Sequence, residues 1–190
     1  PISRIEVASA GGYLSYENIA DKATVAGVEV EVRKNLFVRP LSSAANGMNK
    51  LSFGLNGSYI YTNAKMPLAT VTTGSQLEGA APWIANFDLS HNFTKGTHSF
   101  INTLVLNYVS DKIYTIGTQG YQDIMEQGMM TLDFVSQAKL NKYVSLTLKA
   151  RNLLNPSYKL SRKANESGEK VVLSDYKKGI NISLGVSCTF

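Results

Sequence analysis

The sequence contains no long hydrophobic run, and among its 190 residues it has two histidines and a single cysteine. No stretch approaches the ~20 consecutive apolar residues that a membrane-spanning helix requires, which excludes a helical membrane protein. Membrane β-barrels are not excluded, because their strands show only alternating hydrophobicity. The lone cysteine, Cys188, excludes an internal disulfide and indicates little about the compartment.

Patterns of catalytic or metal-binding residues are also scarce. His91 and His98 have no cysteine or carboxylate near them at ligand spacing, so we predict no metal site. Glu29 and Glu31 lie on one face of a predicted strand, but Arg33 shares that face, and a charged barrel lining explains all three. The glycines form no phosphate-binding fingerprint. The sequence therefore predicts no enzyme and no cofactor.

The net charge is +5, and part of it comes from the stretch 162–178, which is rich in lysine and in turn-forming residues. A basic patch of this kind can indicate nucleic-acid binding. Here the lysines are interleaved with Glu166, Glu169 and Asp175, a mixture that is typical of a solvated loop. We therefore predict no nucleic-acid partner.

The strongest positive signal is the alternation of apolar and polar residues along most of the chain. In the last eleven residues, for example, Ile180, Ile182 and Leu184 alternate with Asn181 and Ser183. This period of two is the pattern of half-buried β-strands. The segment from 100 to 108 is less regular, because two of its apolar residues fall on the polar side. We predict about eight strands and no helix, from the segments 1–8, 28–33, 49–63, 82–94, 99–111, 127–140, 144–151 and 180–190.

Strand and loop lengths favour a membrane barrel over a soluble sheet. Four of the predicted strands exceed the ~5–6 residues usual in globular sheets and match the ~9–11 that a tilted strand needs to cross a bilayer. Short periplasmic turns and longer extracellular loops are typical of outer-membrane barrels. Here long connections at 9–22, 64–81, 112–126 and 155–178 alternate with tight turns at 94–97 and 141–142, and only 35–48 departs from the pattern. We predict an antiparallel meander from near Ile2 to Phe190.

The aromatic residues fit two girdles at the membrane–water interfaces. Amphipathic rings favour the headgroup level, and in barrels they flank an apolar band about 25 Å tall. The candidate girdle beside the long loops comprises Trp83, Tyr59, Tyr61, Tyr108 and Tyr114. The candidate girdle beside the tight turns comprises Phe93, Tyr143 and Phe190.

Several motifs resemble one family of barrels. The stretch Ala150-Arg151-Asn152-Leu153-Leu154-Asn155-Pro156-Ser157-Tyr158 resembles the penultimate-strand motif of TonB-dependent receptors, and Gly27-Val28-Glu29-Val30-Glu31 resembles a segment common in their barrels. Residues 77–83 resemble the return of an extracellular loop into a strand. The last strand, ending on Phe190, is similar to the terminal strand of outer-membrane barrels, whose final aromatic is a signal to the barrel assembly machinery. The general pattern is that of receptors from Bacteroides-like bacteria.

The resemblance implies a 22-stranded barrel in the bacterial outer membrane, of which residues 1–190 supply the C-terminal portion without the plug domain. It implies uptake of a scarce nutrient, such as a siderophore, a corrinoid or an oligosaccharide. The implied partners are outer-membrane lipid, the rest of the barrel and its plug, TonB acting through an N-terminal region, and the assembly machinery. We expect a fragment of a longer protein, because the chain opens with what looks like mid-strand and no signal peptide.

On this interpretation the polar side of the strands faces an aqueous lumen. The lumen-facing candidates are Glu29, Glu31, Arg33, Asn86, Asp88, Asp133, Lys149 and Arg151. The long loops would hold the ligand from above, with Tyr114, Tyr121 and residues of 155–178 as contact candidates. The strand pattern does not identify the ligand.

Two alternatives stay open. Eight strands also close a small complete barrel, which would have a structural or adhesive role. The same alternation could instead form a soluble β-sandwich binding module with a hydrophobic core. The sandwich should purify without detergent, whereas either barrel should not.

Overall fold

The computed structural model describes residues 1–7, 13–41, 47–65, 76–118, 120–164 and 168–189. In these residues the chain forms thirteen β-strands in three sheets and no helix. Among the same residues, no helix is long and apolar enough to cross a membrane. The cross-strand pairs within every sheet are antiparallel, as the period of two predicts.

The largest sheet, called the wall sheet below, is a seven-stranded meander. Each strand pairs with the next wall strand along the chain, and the first and last of them are its two edges, so the sheet is open. Its strands are β3 (Ala23–Leu41), β4 (Gly47–Ala64), β5 (Trp83–Lys95), β6 (His98–Val109), β9 (Met129–Lys139), β10 (Val144–Arg151) and β13 (Asn181–Cys188).

The other six strands lie before β3 or in the long connections, and they form what we call the loop layer. One pair joins β1 (Ile2–Val7) to β2 (Tyr13–Asn18). A four-stranded sheet has the order β12-β11-β8-β7. Its strands are β7 (Lys112–Thr115), β8 (Ile124–Glu126), β11 (Ser157–Lys163) and β12 (Lys170–Lys177).

The structure differs from the sequence-based expectation in three places. The meander does not begin near Ile2, because β1 pairs with β2 outside the wall sheet, which leaves seven wall strands instead of about eight. The long connections 9–22, 112–126 and 155–178 contain strands of their own. Strand β3 continues to Leu41, so most of 35–48 is strand, and residues 42–46 lie outside the described part.

The two faces of the wall sheet differ in character, as the alternation predicts. Directly paired residues share a face, and the register joins Val28 to Tyr59 and Tyr59 to Trp83 across three strands. At the opposite edge Leu148 pairs with Leu184. The apolar face leaves large side chains exposed, among them Val28, Val30, Trp83, Ile182, Leu184 and Val186. A face of this kind requires an apolar environment.

Most of the buried hydrophobic residues lie in the loop layer, and few lie in the wall. Ile5 of β1 is joined to Ile116 by an isolated bridge, and Ile116 N–H donates to the Arg4 carbonyl at 3.0 Å. Ile19, Ile113 and Ala64, the last residue of β4, pack in the same buried cluster. The alternation of the opening segment therefore buries its apolar side against other loops, which explains why it resembled a wall strand.

Candidate functional site

The eight lumen-facing candidates all lie on the polar face of the wall sheet. The register places Arg33, Gly54, Asp88, Val105 and Asp133 in one row across five strands. A parallel row carries Glu31, Asn56 and Asn86. Lys149 pairs with Val135, and Arg151 pairs with Asn181. The side chains of Lys149 and Arg151 therefore lie on this same face.

Hydrogen bonds connect the polar face across three strands. Asn56 Nδ2 donates to the Glu29 carboxylate, and Asn86 Nδ2 donates to Asn56 Oδ1 at 3.4 Å. Arg33 forms an ion pair with Glu31 on its own strand. Charged and amide groups of this density are stable only where water or polar groups cover them. The polar face therefore requires an aqueous or protein environment.

Gly54 provides the space that the Asp88 carboxylate occupies. A Cβ atom at Gly54 would lie 2.3 Å from Asp88 Oδ1, so a side chain at this position would require the Asp88 carboxylate to move. Gly57, on the same strand but on the apolar face, has nothing within 4 Å of the equivalent position. Of these two glycines of β4, only Gly54 leaves room for a side chain of the neighbouring strand.

The Asn-Leu-Leu-Asn motif forms a turn that ties three wall strands together. Asn152 and Asn155 both have positive φ angles, 59° and 45°. Asn152 N–H donates to Asp133 Oδ1 at 2.8 Å, and its Nδ2 donates to the Gly179 carbonyl at 2.7 Å. Gly179 N–H donates to Asn155 Oδ1 at 3.0 Å. Asparagine suits this turn because it tolerates the left-handed region and bonds the backbone locally.

This turn changes the interpretation of one candidate residue. Asp133 lies on the polar face, but one of its carboxylate oxygens accepts the Asn152 N–H. The residue therefore holds the junction of β9 and β10, and sequence reasoning assigned it only to the lining. Asp111 has the same function one connection earlier, because its Oδ1 accepts the Gly128 N–H at 2.6 Å.

A cavity of about 370 Å³ lies where the polar face meets the loop layer. We call it the junction cavity. Arg151, Asp133 and Asn181 of the polar face line it together with Tyr158 and Lys178 of the loop layer. Its volume falls within the range of small-molecule sites. Lys178 Nζ lies 5.1 Å from the Tyr158 ring centroid, a cation–π distance.

Tyr158 is the aromatic residue most firmly placed at this cavity. Its hydroxyl donates to Glu126 Oε2 at 3.1 Å, and its ring lies 5.0 Å from that of Tyr176. Burial, reinforced by the negative charge of Glu126, raises the pKa of Tyr158 to about 12. The hydroxyl stays protonated and remains a donor throughout the physiological range. The sequence placed Tyr158 in the family motif and in the contact range 155–178, without assigning it a specific contact.

The two tyrosines predicted to contact ligand both stack on arginines. The Arg4 guanidinium carbon lies 4.4 Å from the Tyr114 ring centroid, and that of Arg162 lies 5.2 Å from the ring of Tyr121. Tyr114 is half-buried, whereas Tyr121 is 43% exposed and presents more of its ring to solvent. The structure gives Tyr114 a packing role and leaves Tyr121 accessible.

Ion pairs hold the loop layer together over long stretches of chain. Arg4 N–H donates to Glu78 Oε2 at 2.5 Å, and its guanidinium lies 3.8 Å from Glu78 Oε1. Arg162 pairs with Glu6, which is 156 positions away in the chain. No spacing rule could have found these pairs from the sequence. They fix β1 to the β4–β5 connection and to β11.

Two further expectations concern Phe190 and metal binding. Phe190, the predicted assembly signal, lies outside the described residues. Within the described ranges, no three histidine, cysteine or acidic side chains are grouped so that they could hold a metal ion.

Tight turns at one end, folded loops at the other, and a sheet with one apolar and one polar face together define the wall of a membrane β-barrel. The family model described as "TonB dependent receptor-like, beta-barrel" matches residues 3–153, which is more than half of the chain. The chain belongs to this family. Its barrels act in outer-membrane transport and are not enzymes. The comparisons with curated proteins and with solved structures return no match.

Proposed function

We propose that residues 1–190 are the C-terminal portion of the barrel of a receptor that takes up a scarce nutrient by active transport energised through TonB. The observation that carries the proposal is the junction cavity, where the charged polar face continues into a folded loop layer. A ligand arriving from outside meets the loop layer first and then the polar face. The nutrient class is a molecule too polar to cross lipid, such as a siderophore, a corrinoid or an oligosaccharide.

The two faces of the wall sheet assign its neighbours under this proposal. Outer-membrane lipid contacts the apolar face, which includes Val28, Trp83 and Leu184. The polar face lines the lumen, where Glu29, Asp88 and the other charged residues contact water and a plug domain. TonB acts on that plug through a region outside this chain, and Phe190 is the signal read by the assembly machinery. The edges β3 and β13 pair with further strands, since an unpaired backbone edge is not stable in lipid.

The proposal is tested by uptake in the bacterium that encodes the protein. Deleting the gene should abolish uptake of one radiolabelled nutrient from a panel of iron chelates, corrinoids and oligosaccharides. The same uptake should stop when TonB is removed. Unchanged uptake of every nutrient in the deletion strain would contradict the proposal.

The role of the junction cavity is tested separately with chromosomal variants. Arg151→Gln combined with Lys178→Gln removes two cations from the cavity, and we expect uptake to fall at least tenfold. Lys142→Gln, in the tight turn at the other end of the wall, should leave uptake unchanged. Immunoblots of the outer-membrane fraction control for assembly. Equal uptake by the two strains would exclude the cavity from the ligand path.

A further inference from the structure

A group of polar side chains interrupts the apolar face of the wall sheet at its tight-turn end. Arg39 of β3 pairs directly with Asn49 of β4, and Asn49 pairs with Phe93 of β5. His91, on the same face of β5, makes a 2.8 Å hydrogen bond through Nε2 to Asn49 Oδ1. Lys95 follows Phe93 by two positions, so it shares this face one step nearer the turn. We call Arg39, Asn49, His91 and Lys95 the rim patch.

The rim patch lies at the level expected for the second membrane interface. The step from Tyr59 to Asn49 along β4, like that from Trp83 to Phe93 along β5, is ten residues. At a rise of about 3.3 Å per residue and the usual tilt of barrel strands, ten residues cross roughly 25 Å, the height of the apolar band. Tyr59 and Trp83 belong to the girdle beside the long loops. The patch is therefore at the opposite interface, where lipid headgroups replace acyl chains.

The charges of the chain are segregated along the wall strands. None of the 14 acidic residues lies within 34–77, 89–110 or 134–165, the ranges that contain the tight-turn ends of β3 to β6, β9 and β10. Arg39 and Lys95 lie in these ranges and are exposed. Neither forms an ion pair with any described residue. The tight-turn end of the wall is thus positive, and no neighbouring carboxylate side chain neutralises it.

The two cations of the rim patch are placed to act together. Two strand spacings and a step of two residues put the backbones of Arg39 and Lys95 roughly 12 Å apart, a distance that two long side chains can span around one headgroup. The Arg39 guanidinium carbon lies 5.6 Å from the Phe37 ring centroid, so the ring supports it against the wall. Ionisable residues on a membrane-embedded surface are costly and call for a partner of opposite charge.

We infer that the rim patch binds the headgroup of a phospholipid with net negative charge, of the phosphatidylglycerol class. Arg39 and Lys95 bind the phosphodiester oxygens, and the hydrogen-bonded pair of Asn49 and His91 offers neutral polar partners to the headgroup hydroxyls. The inference rests on the proposed function, which puts lipid against the apolar face and the tight turns on the periplasmic side. It adds which lipid is held there, and by which residues.

The missing carboxylates decide between the two main kinds of phospholipid headgroup. A zwitterionic headgroup carries an ammonium group as well as the phosphodiester, and that ammonium group would need an acidic side chain to pair with. The rim patch has cations and neutral groups only. A headgroup whose sole charge is the phosphodiester therefore complements the patch better.

The test is lipid binding to the full-length protein in a neutral detergent, followed by native mass spectrometry. Dioleoyl-phosphatidylglycerol and dioleoyl-phosphatidylethanolamine are the probes, because they share acyl chains and differ in headgroup charge. We expect the wild type to bind phosphatidylglycerol at least tenfold more tightly. Arg39→Gln combined with Lys95→Gln should remove this preference. Lys50→Gln combined with Lys139→Gln removes the same charge at the same end of the wall, but on the polar face, and should preserve it.

Three results would overturn the inference: equal binding of both lipids by the wild type, a preference that survives in the Arg39 and Lys95 double variant, or a preference lost equally in both double variants. Equal loss would trace the preference to net charge and not to a site. Tighter binding of lipid A, lost in the same variant, would also overturn it by assigning the patch to the other leaflet.

Two further measurements keep the outcome interpretable. Arg39→Lys retains the charge and should retain most of the preference, and circular dichroism should show unchanged β structure in every variant. Uptake on gene deletion is scored separately. Gene-dependent uptake without any lipid preference would reject the rim patch and keep the proposed function, whereas a lipid preference without any uptake defect would do the reverse.

Discussion

Asn152 and Gly179 are joined across 27 positions by a 2.7 Å hydrogen bond from the asparagine Nδ2 to the glycine carbonyl. The bond closes the connection that leaves the wall sheet at the end of β10 and returns at β13. It allows the whole β11–β12 hairpin to project from the wall without loosening the two strands between which it is inserted. The family motif is thus explained as a closure of the wall beneath its largest loop.

Asn152 is the first residue to test. Asn152→Ala keeps a Cβ atom at a φ of 59° but lacks the polar side chain that lets asparagine bond locally in this conformation, and it removes the bond to Gly179. We expect a loss of about 1–3 kcal/mol in the free energy of unfolding, measured by urea titration in lipid vesicles. Asn152→Gly accepts the positive φ and loses only the bond, so its loss should be smaller, about 1 kcal/mol. Equal losses would contradict a role for the backbone conformation.

The two faces of β10 provide a second test. Leu148 pairs with Leu184 on the apolar face, and Thr147 pairs with Gly185 on the polar face. Leu148→Arg puts a charge into lipid and should cost about 2–4 kcal/mol near the bilayer midplane. Thr147→Arg should be far milder, because its face meets water. Thermal unfolding of the folded barrel in lipid measures the loss of stability in both variants. Similar losses would contradict the assignment of faces.

Two glycines of β4 form a matched pair. Gly54→Ala forces the Asp88 carboxylate to move, since the new Cβ would lie 2.3 Å from its Oδ1. Gly57→Ala enters open space and should be neutral or stabilising by about 0.5–1 kcal/mol, because alanine restricts the unfolded chain. Combining Gly54→Ala with Asp88→Ala should restore stability to the Gly54→Ala protein. Failure of this rescue would show that the clash involves the backbone and not the carboxylate.

Tyr158 predicts a dependence of stability on alkaline pH. Its folded-state pKa of about 12 lies above the ordinary value of 10.0, so the folded protein binds the phenolic proton more tightly than the unfolded chain. The stabilisation is fully present below pH 10 and is lost as the pH rises through 12. Ultraviolet difference titration should show one high-titrating tyrosine that disappears in Tyr158→Phe. Glu126→Gln should lower the pKa of Tyr158, because it removes a negative charge beside the hydroxyl, and an unchanged pKa would leave burial as the whole cause.

The wall sheet was predictable from the sequence because its physics is local. Most wall strands alternate in character, and the alternation places Val28, Tyr59 and Trp83 on one face, as the register shows. The family assignment agrees with the motifs noticed at 27–31 and 77–83. The error at Ile2 has the same origin, since alternation signals a half-buried strand without saying what covers it.

The loop layer and most of the site were not predictable in this way. Arg162 meets Glu6, and Arg4 meets Glu78, only because the chain folds back over many strands. Alternation placed Asp133 on the polar side of its strand, but its bond to Asn152 depends on a turn geometry that a period of two does not represent. Long-range pairings of charged residues and local backbone capping are the two kinds of information that alternation lacks.

Because the buried core lies mainly in the loop layer, the stabilities of the loop layer and of the wall should depend differently on temperature. Burial of Ile5, Ile19 and Ile116 removes apolar surface from water, and exposing it again raises the heat capacity. The apolar side chains of the wall would face lipid and not water in the bilayer, so they should contribute little to the heat-capacity change of unfolding. The loop layer should therefore weaken on cooling as well as on heating, while the wall should be nearly indifferent to cold. Under the proposed function, the stability of the loop layer, and with it the burial of these isoleucines, limits the temperature range of ligand binding independently of the stability of the wall.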